Sequence, residues 1–221
     1  MALVDRQATL PLEDSLKVLK EMPVAKFDET VEISFRLGID PRQSDQVVRG
    51  ALVLPKGTGK TTRVAVVASG DAAEQAKAAG ADFVGFEELV ERIKSGWLDF
   101  DVLIATPDAM KLVRTLGRFL GPRGLMPNPK TGTVTDNTGD AVGEAKAGRV
   151  EYRCDRGGCV HVPLGKLSFA VEDLLENANA VIHQVVRARP SSSKGVYIQT
   201  VTVCATMSPG VRVDVKSVAK A

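Results

Sequence analysis

The stretch Thr61-Thr62-Arg63-Val64-Ala65-Val66-Val67-Ala68-Ser69-Gly70-Asp71 decides how this chain is organised. An unbroken apolar run from Val64 to Ala68, closed by Ser-Gly-Asp, predicts a short strand buried on both faces, as in parallel βαβ units. The segments that follow keep the pattern. Residues 71–79 read as a helix ended by Gly80, Phe83-Val84-Gly85 is short and apolar, and Leu89, Val90 and Ile93 recur at helical spacing. Val102-Leu103-Ile104-Ala105 is again continuously apolar, and a helix is predicted from Thr106-Pro107, with threonine as N-cap and proline in the first turn. Residues 61–149 therefore predict a small doubly wound α/β domain.

Outward from this block the period changes. Upstream, Leu12, Leu16, Leu19 and Met22 mark an amphipathic helix stopped before Pro23, and Val31-Glu32-Ile33-Ser34-Phe35-Arg36-Leu37 is apolar at every second position. Such alternation predicts a strand with one wet face. Downstream, Val150–Cys154 and Cys159–Val162 flank Asp155-Arg156-Gly157-Gly158, a hairpin signal. An amphipathic helix is expected over Leu174–Ala188, and a β-branched strand over Val196–Ala205. The simplest topology is α/β with two domains. An α+β domain is made from both termini, residues 1–60 plus 150–221, and is interrupted by the α/β insert at 61–149.

Composition fits a folded protein. The 221 residues are 44% hydrophobic and 25% charged, with 29 Lys+Arg against 27 Asp+Glu, a formal charge of +2. That excludes disorder as the main state, along with collagen-like and coiled-coil classes. No apolar run approaches the roughly 20 residues of a membrane span. No signal-peptide pattern opens the chain, and three cysteines do not make a disulfide scaffold, so a cytoplasmic protein is expected. Residues 62–149 carry a net charge of −1 and the flanks +3, so a polyanion would prefer the flanks.

Several constellations admit two readings. Gly57-Thr58-Gly59-Lys60-Thr61-Thr62 suggests a phosphate loop, but Leu54 stands where its first glycine belongs, and a strand follows where a helix must open. An interdomain turn is the other reading. Cys154, Cys159 and His161 offer three zinc ligands without a fourth, or small strand residues at a hairpin. His183 reads as packing within its helix, and Asp99 and Asp101 as turn formers. No catalytic set emerges, so the chain is read as a non-enzyme without cofactor or metal; the alternative is a small nucleotide-dependent enzyme using the α/β insert. The segment Leu116–Val134, rich in glycine and proline, is either an extended recognition loop with a positive face from Arg118, Arg123 and Lys130, or a structured connection to the last strand of the insert.

The same segment, Leu116-Gly117-Arg118-Phe119-Leu120-Gly121-Pro122-Arg123-Gly124-Leu125-Met126-Pro127-Asn128-Pro129-Lys130-Thr131-Gly132-Thr133-Val134, closely resembles the signature of the large-subunit ribosomal protein L-one family, bacterial type. Ala25–Glu32, Leu37–Arg42, Ser44–Gln46, Val48–Gly50, Gly80–Asp82, Ala105–Asp108, Lys146–Arg149 and Gly165-Lys166 agree in the expected order.

The resemblance implies a structural constituent of the large ribosomal subunit. Its terminal domain binds large-subunit rRNA at the mobile stalk, and its Rossmann-like three-layer insert approaches exit-site tRNA and assists its release. Repression of its own messenger RNA, a ribosomal location and a monomeric free state are also implied. Transferred position by position, the rRNA and mRNA face comprises Lys26, Phe27, Thr30, Glu32, His161, Gly165, Lys166, Ser168, Thr206, Met207, Ser208 and Pro209. Small hydroxyl donors suit RNA junctions, which are read by shape and 2′-hydroxyls rather than by many long cations. Thr206 is expected to offer a hydroxyl to RNA without a role in stability. Two departures stand out. Ser208 replaces a family glycine, costing about 1 kcal/mol if the position needs positive φ. The N-terminus offers only Arg6 before Pro11, where relatives have a basic arm.

Overall fold

The computed structural model describes residues 8–22 and 25–218. Arg6 and Pro23, to which the sequence reading gave roles, lie outside the described residues. In chain order the elements are β1 (Thr9–Leu10), α1 (Leu12–Glu21), β2 (Thr30–Leu37), β3 (Arg49–Val53), β4 (Val64–Val67), α2 (Asp71–Ala78), β5 (Phe83–Gly85) and α3 (Glu87–Lys94). They continue with β6 (Val102–Ala105), α4 (Met110–Val113), α5 (Gly117–Leu120), α6 (Thr138–Lys146), β7 (Arg149–Arg153), β8 (Cys159–Lys166), α7 (Val171–Arg187), β9 (Ile198–Ala205), β10 (Val211–Val213) and α8 (Val215–Val218). The chain gathers into two compact units, Met1–Lys60 with Val150–Ala221, and Thr61–Arg149.

In the terminal unit a five-stranded sheet runs β1-β10-β9-β2-β8. The alternation along β2 sends Val31, Ile33 and Phe35 to one side, where they meet Leu12, Leu16 and Leu19 of α1 and Leu174, Ala178, Val181, Ile182 and Val185 of α7 in one core. The other side carries Glu32, Ser34, Arg36, His161, Thr200 and Thr202, exposed or half-buried. Pro163, which has no N–H to give to a ladder, sits in the edge strand β8. Along β8, Pro163 pairs with Glu32 and Gly165 with Val31, which leaves Leu164 as the extra residue of a bulge. His183 lies exposed on α7, so it does not pack as the sequence reading had it.

In unit Thr61–Arg149 the parallel sheet runs β5-β4-β6. Its strands are apolar throughout because each face meets helices: Ala65 and Val67 pack toward α3, α4 and α5, Val64 and Val66 toward α2 and α6. Thr106 does not cap a helix directly. Its hydroxyl accepts from Ala109 N at 3.4 Å, and α4 begins only at Met110. Asp99 and Asp101 do more than form a turn, since both pair with the Arg63 guanidinium that precedes β4.

The segment 116–134 is the structured connection rather than an extended, poorly packed loop. Leu116 and Leu120 are fully buried, and Leu125 and Met126 join the same core. Asn128 accepts from Lys130 N at 2.8 Å, while Thr133 Oγ1 accepts from Asn128 N at 2.8 Å and Thr131 Oγ1 donates to the Asn128 carbonyl at 3.1 Å. These bonds fold the Pro-Asn-Pro run into a compact turn. Val134 then bridges Ala105 in parallel, extending the sheet.

The Gly57–Thr62 turn does not open a helix, as a phosphate loop would. Lys56 N donates to Asn177 Oδ1 at 3.0 Å, Gly57 N donates to the Leu54 carbonyl at 3.0 Å, and β4 follows. No helix of the described residues is long and apolar enough to cross a membrane.

Candidate nucleic-acid interface

Three loops meet where β2 begins and β8 and β9 end, because register forces them there. Thr30 pairs with Lys166, and Val31 lies opposite both Gly165 and Ala205. Residues 25–29, 166–168 and 206–209 thus converge although up to 184 positions separate them in sequence. Of the sequence-predicted residues, Lys26, Phe27, Thr30, Glu32, Gly165, Lys166, Ser168, Thr206, Met207, Ser208 and Pro209 belong to this end of the sheet. His161 lies farther along the open face, opposite Ser34, whose hydroxyl is 2.9 Å from its Nδ1. Arg118, Arg123 and Lys130 are exposed in the other unit and take no part in this convergence.

At the rim, Phe27 and Met207 are 51% and 73% exposed, a large apolar area to leave in water without a partner. Beneath them is a close polar network. Lys166 Nζ donates to Thr30 Oγ1 at 3.1 Å and to the Asp28 carbonyl at 3.3 Å. Asp28 accepts from Ser168 N at 3.2 Å and Ser168 Oγ at 2.8 Å. Glu32 accepts from Cys204 Sγ at 3.4 Å, and burial, then the Glu32 carboxylate, push that thiol up to about 11. Cys204 is therefore a neutral thiol at physiological pH.

Two expectations about the turn after β9 need correction. The Thr206 hydroxyl is not idle, for Thr30 N donates to it at 3.1 Å, so its loss also unpairs a backbone amide. Ser208 carries no strain, since no described non-glycine residue has positive φ. Its hydroxyl accepts from Ala205 N at 2.8 Å while its own N–H donates to the Ala205 carbonyl at 3.1 Å, a closed reciprocal turn. Ser208→Gly is accordingly expected to cost about 1 kcal/mol by removing this bond and loosening the unfolded chain. A urea-unfolding midpoint checks the sign: a more stable glycine variant would contradict the assignment.

Gly165 differs in kind from the other predicted residues. It is buried at φ +152°, and a Cβ there would stand 2.9 Å from a ring carbon of Phe169. The position requires glycine for backbone shape. Residues 28 and 29 escaped the sequence reading. Glu29 is a 2% exposed carboxylate just before β2, with one local partner at Ala25 and two in distant segments, Leu167 and Met207.

The hairpin expected over 150–162 does not form a β7–β8 ladder: β7 pairs with β3 in a separate two-stranded sheet and β8 with β2, so only the turn at Asp155–Gly158 remains of it. The zinc reading of this turn does not fit its geometry either. Cys154 points into the core and Cys159 lies in register with exposed Arg36, so the thiols take opposite sides. Among the described residues no group of three or more His, Cys, Asp or Glu side chains is placed to hold a metal ion.

Comparison with known proteins finds relatives of this chain. The profile described as "Ribosomal protein L1p/L10e family" matches residues 19–209. The chain is 59% identical over 218 residues to the large ribosomal subunit protein uL1 of Methylobacillus flagellatus, covering 99% of this chain and 95% of the relative. It is 57% identical over 213 residues to the protein of the same name from an Azoarcus species, covering 96% and 92%. With that of Aromatoleum aromaticum it shares 55% over 215 residues, covering 97% and 93%.

Proposed function

The chain belongs to the Ribosomal protein L1p/L10e family, and from that premise we propose that its terminal unit grips large-subunit rRNA through the three converging loops. The coarser facts come with the family: this is a structural constituent of the large ribosomal subunit, at work in the cytoplasm as part of the ribosome, and not an enzyme. The finer reading is supported above all by the convergence itself. Hydroxyls of Thr30, Ser168 and Thr206 and the two exposed apolar groups Phe27 and Met207 share one sheet end with Lys26 and Lys166, and the Lys20 ammonium reaches the Phe169 carbonyl beside them. Small donors brought close to a sugar-rich surface, beside flat apolar groups that can pack on sugars or bases, match the needs of an RNA junction.

In this reading the two units act as domains. The terminal domain holds the rRNA of the mobile stalk, and unit Thr61–Arg149 presents Arg118, Arg123 and Lys130 toward exit-site tRNA and assists its release. A messenger carrying the same junction would compete for the terminal domain, so binding it represses translation of the protein's own message. The free protein is a monomer.

Salt dependence tests the chemistry. If Lys26 and Lys166 carry the phosphate contacts, the logarithm of affinity for an rRNA stalk fragment should fall with the logarithm of salt at a slope of about −2. A slope steeper than about −5 would mean that a cationic strip elsewhere carries the binding.

A further inference from the structure

The loops proposed to meet RNA are themselves fastened by one buried residue, two of them through its side chain and one through its backbone carbonyl. Glu29 sits at the end of the first loop, where Thr30 opens β2. One carboxyl oxygen accepts from Ala25 N at 2.9 Å, closing the first loop on itself, and the other accepts from Met207 N at 2.8 Å, reaching the third. Its backbone carbonyl accepts from Leu167 N at 2.8 Å and so holds the second. One residue, 2% exposed, thereby joins segments 138 and 178 positions away, and each bond goes to the main chain rather than to a replaceable side chain.

We infer that Glu29 is the positioning residue of the RNA face: by accepting from the amides of Ala25, Leu167 and Met207, it locks the three loops into one preformed platform. Buried at 2% exposure, it touches no RNA itself. Its contribution is that Phe27, Lys166, Ser168 and Met207 need not be ordered at the moment of binding, which raises affinity without adding a contact. Both carboxyl oxygens are required as acceptors. Glutamine would turn an NH2 toward one of the two amides and leave it unpaired, so Glu29→Gln should break the platform despite its matching shape.

The inference rests on the rRNA-binding reading above, and the experiment separates the two. Full-length wild type, Glu29→Gln and Phe27→Ala are titrated with an rRNA stalk fragment at several salt concentrations. Amide hydrogen exchange at Ala25, Leu167 and Met207 is followed in the RNA-free wild type and Glu29→Gln proteins.

Expected are slow exchange at all three amides in the wild type, faster exchange in the variant at Ala25 and Met207, whose acceptors are the carboxyl oxygens, and an affinity at least tenfold weaker with an unchanged salt slope. The unchanged slope distinguishes lost positioning from a lost ionic contact. Affinity of Glu29→Gln within twofold of wild type, while Phe27→Ala still weakens binding, would overturn the positioning role and leave the RNA face standing. Loss in neither variant would overturn both. Should Glu29→Gln fail to fold, the wild-type protein still decides: rapid exchange at Met207 and Ala25 in the intact chain contradicts a locked platform.

Discussion

Asn177→Ala is expected to destabilise the protein by about 3 kcal/mol, although it removes only a small polar group from the middle of a helix. Asn177 is fully buried on α7. Its Oδ1 accepts from Lys56 N at 3.0 Å, and its Nδ2 donates to the Gly57 carbonyl at 3.1 Å and to the Leu164 carbonyl at 2.7 Å. Leu164 is the bulged residue of β8, so its carbonyl has lost its ladder partner and Asn177 supplies a substitute. In the Lys56–Gly57 turn the Lys56 amide and the Gly57 carbonyl likewise take Asn177 as their partner. Truncation exposes three backbone groups to a site with no replacement, at roughly 1–3 kcal/mol for each that stays unsatisfied. At this size about 3 kcal/mol corresponds to a fall in Tm of about 10 °C. Asn177→Leu, which restores apolar volume but no bond, should be no better. A Tm within about 2 °C of wild type for either variant would contradict this account of the turn.

Gly165→Ala is expected to act on stability and RNA affinity together. At φ +152° an L side chain is strained, and the added Cβ would stand 2.9 Å from the Phe169 ring and 3.3 Å from Leu174. Overpacking and backbone strain together cost about 2–4 kcal/mol. Relief requires β8 to shift where it pairs Gly165 with Val31 and Lys166 with Thr30, which displaces the Lys166 ammonium from Thr30 Oγ1 and the Asp28 carbonyl. Binding to an rRNA stalk fragment should weaken at least tenfold, even at temperatures where circular dichroism reports a folded chain. A variant that loses stability but keeps full affinity would separate Gly165 from the shape of the face.

The periodicity of the sequence carried much of the fold. Alternation in β2 and continuous apolar runs in β4 and β6 state how many faces of each strand are buried, and that is a local property. The connection 116–134 was less legible, because its order comes from hydroxyl bonds among Asn128, Thr131 and Thr133 and from leucines entering a core that only the folded unit assembles. The same limit applied at the candidate site. Phe27, Thr30, Lys166 and Thr206 were reached through family resemblance, whereas Glu29 and Asn177 act on segments more than a hundred positions away and leave no periodic trace. Nothing local in sequence marks Asp28 as the partner of Ser168, 140 positions away. His183 shows the converse: apolar neighbours in sequence suggested burial, but helical rotation turns it outward between Ile182 and Gln184.

The central claim, that the sheet end of the terminal unit is the rRNA face, is tested most directly by side chains that the fold does not need. Phe27 and Met207 are exposed, and so are Arg118, Arg123 and Lys130 in the other unit. Full-length Phe27→Ala/Met207→Ala and Arg118→Ala/Arg123→Ala/Lys130→Ala proteins are compared with wild type for affinity to one rRNA stalk fragment, at one salt concentration. The account predicts at least a tenfold loss, about 1.4 kcal/mol, for the first protein and a change within about twofold for the second. Full affinity in the first with a tenfold loss in the second would contradict it.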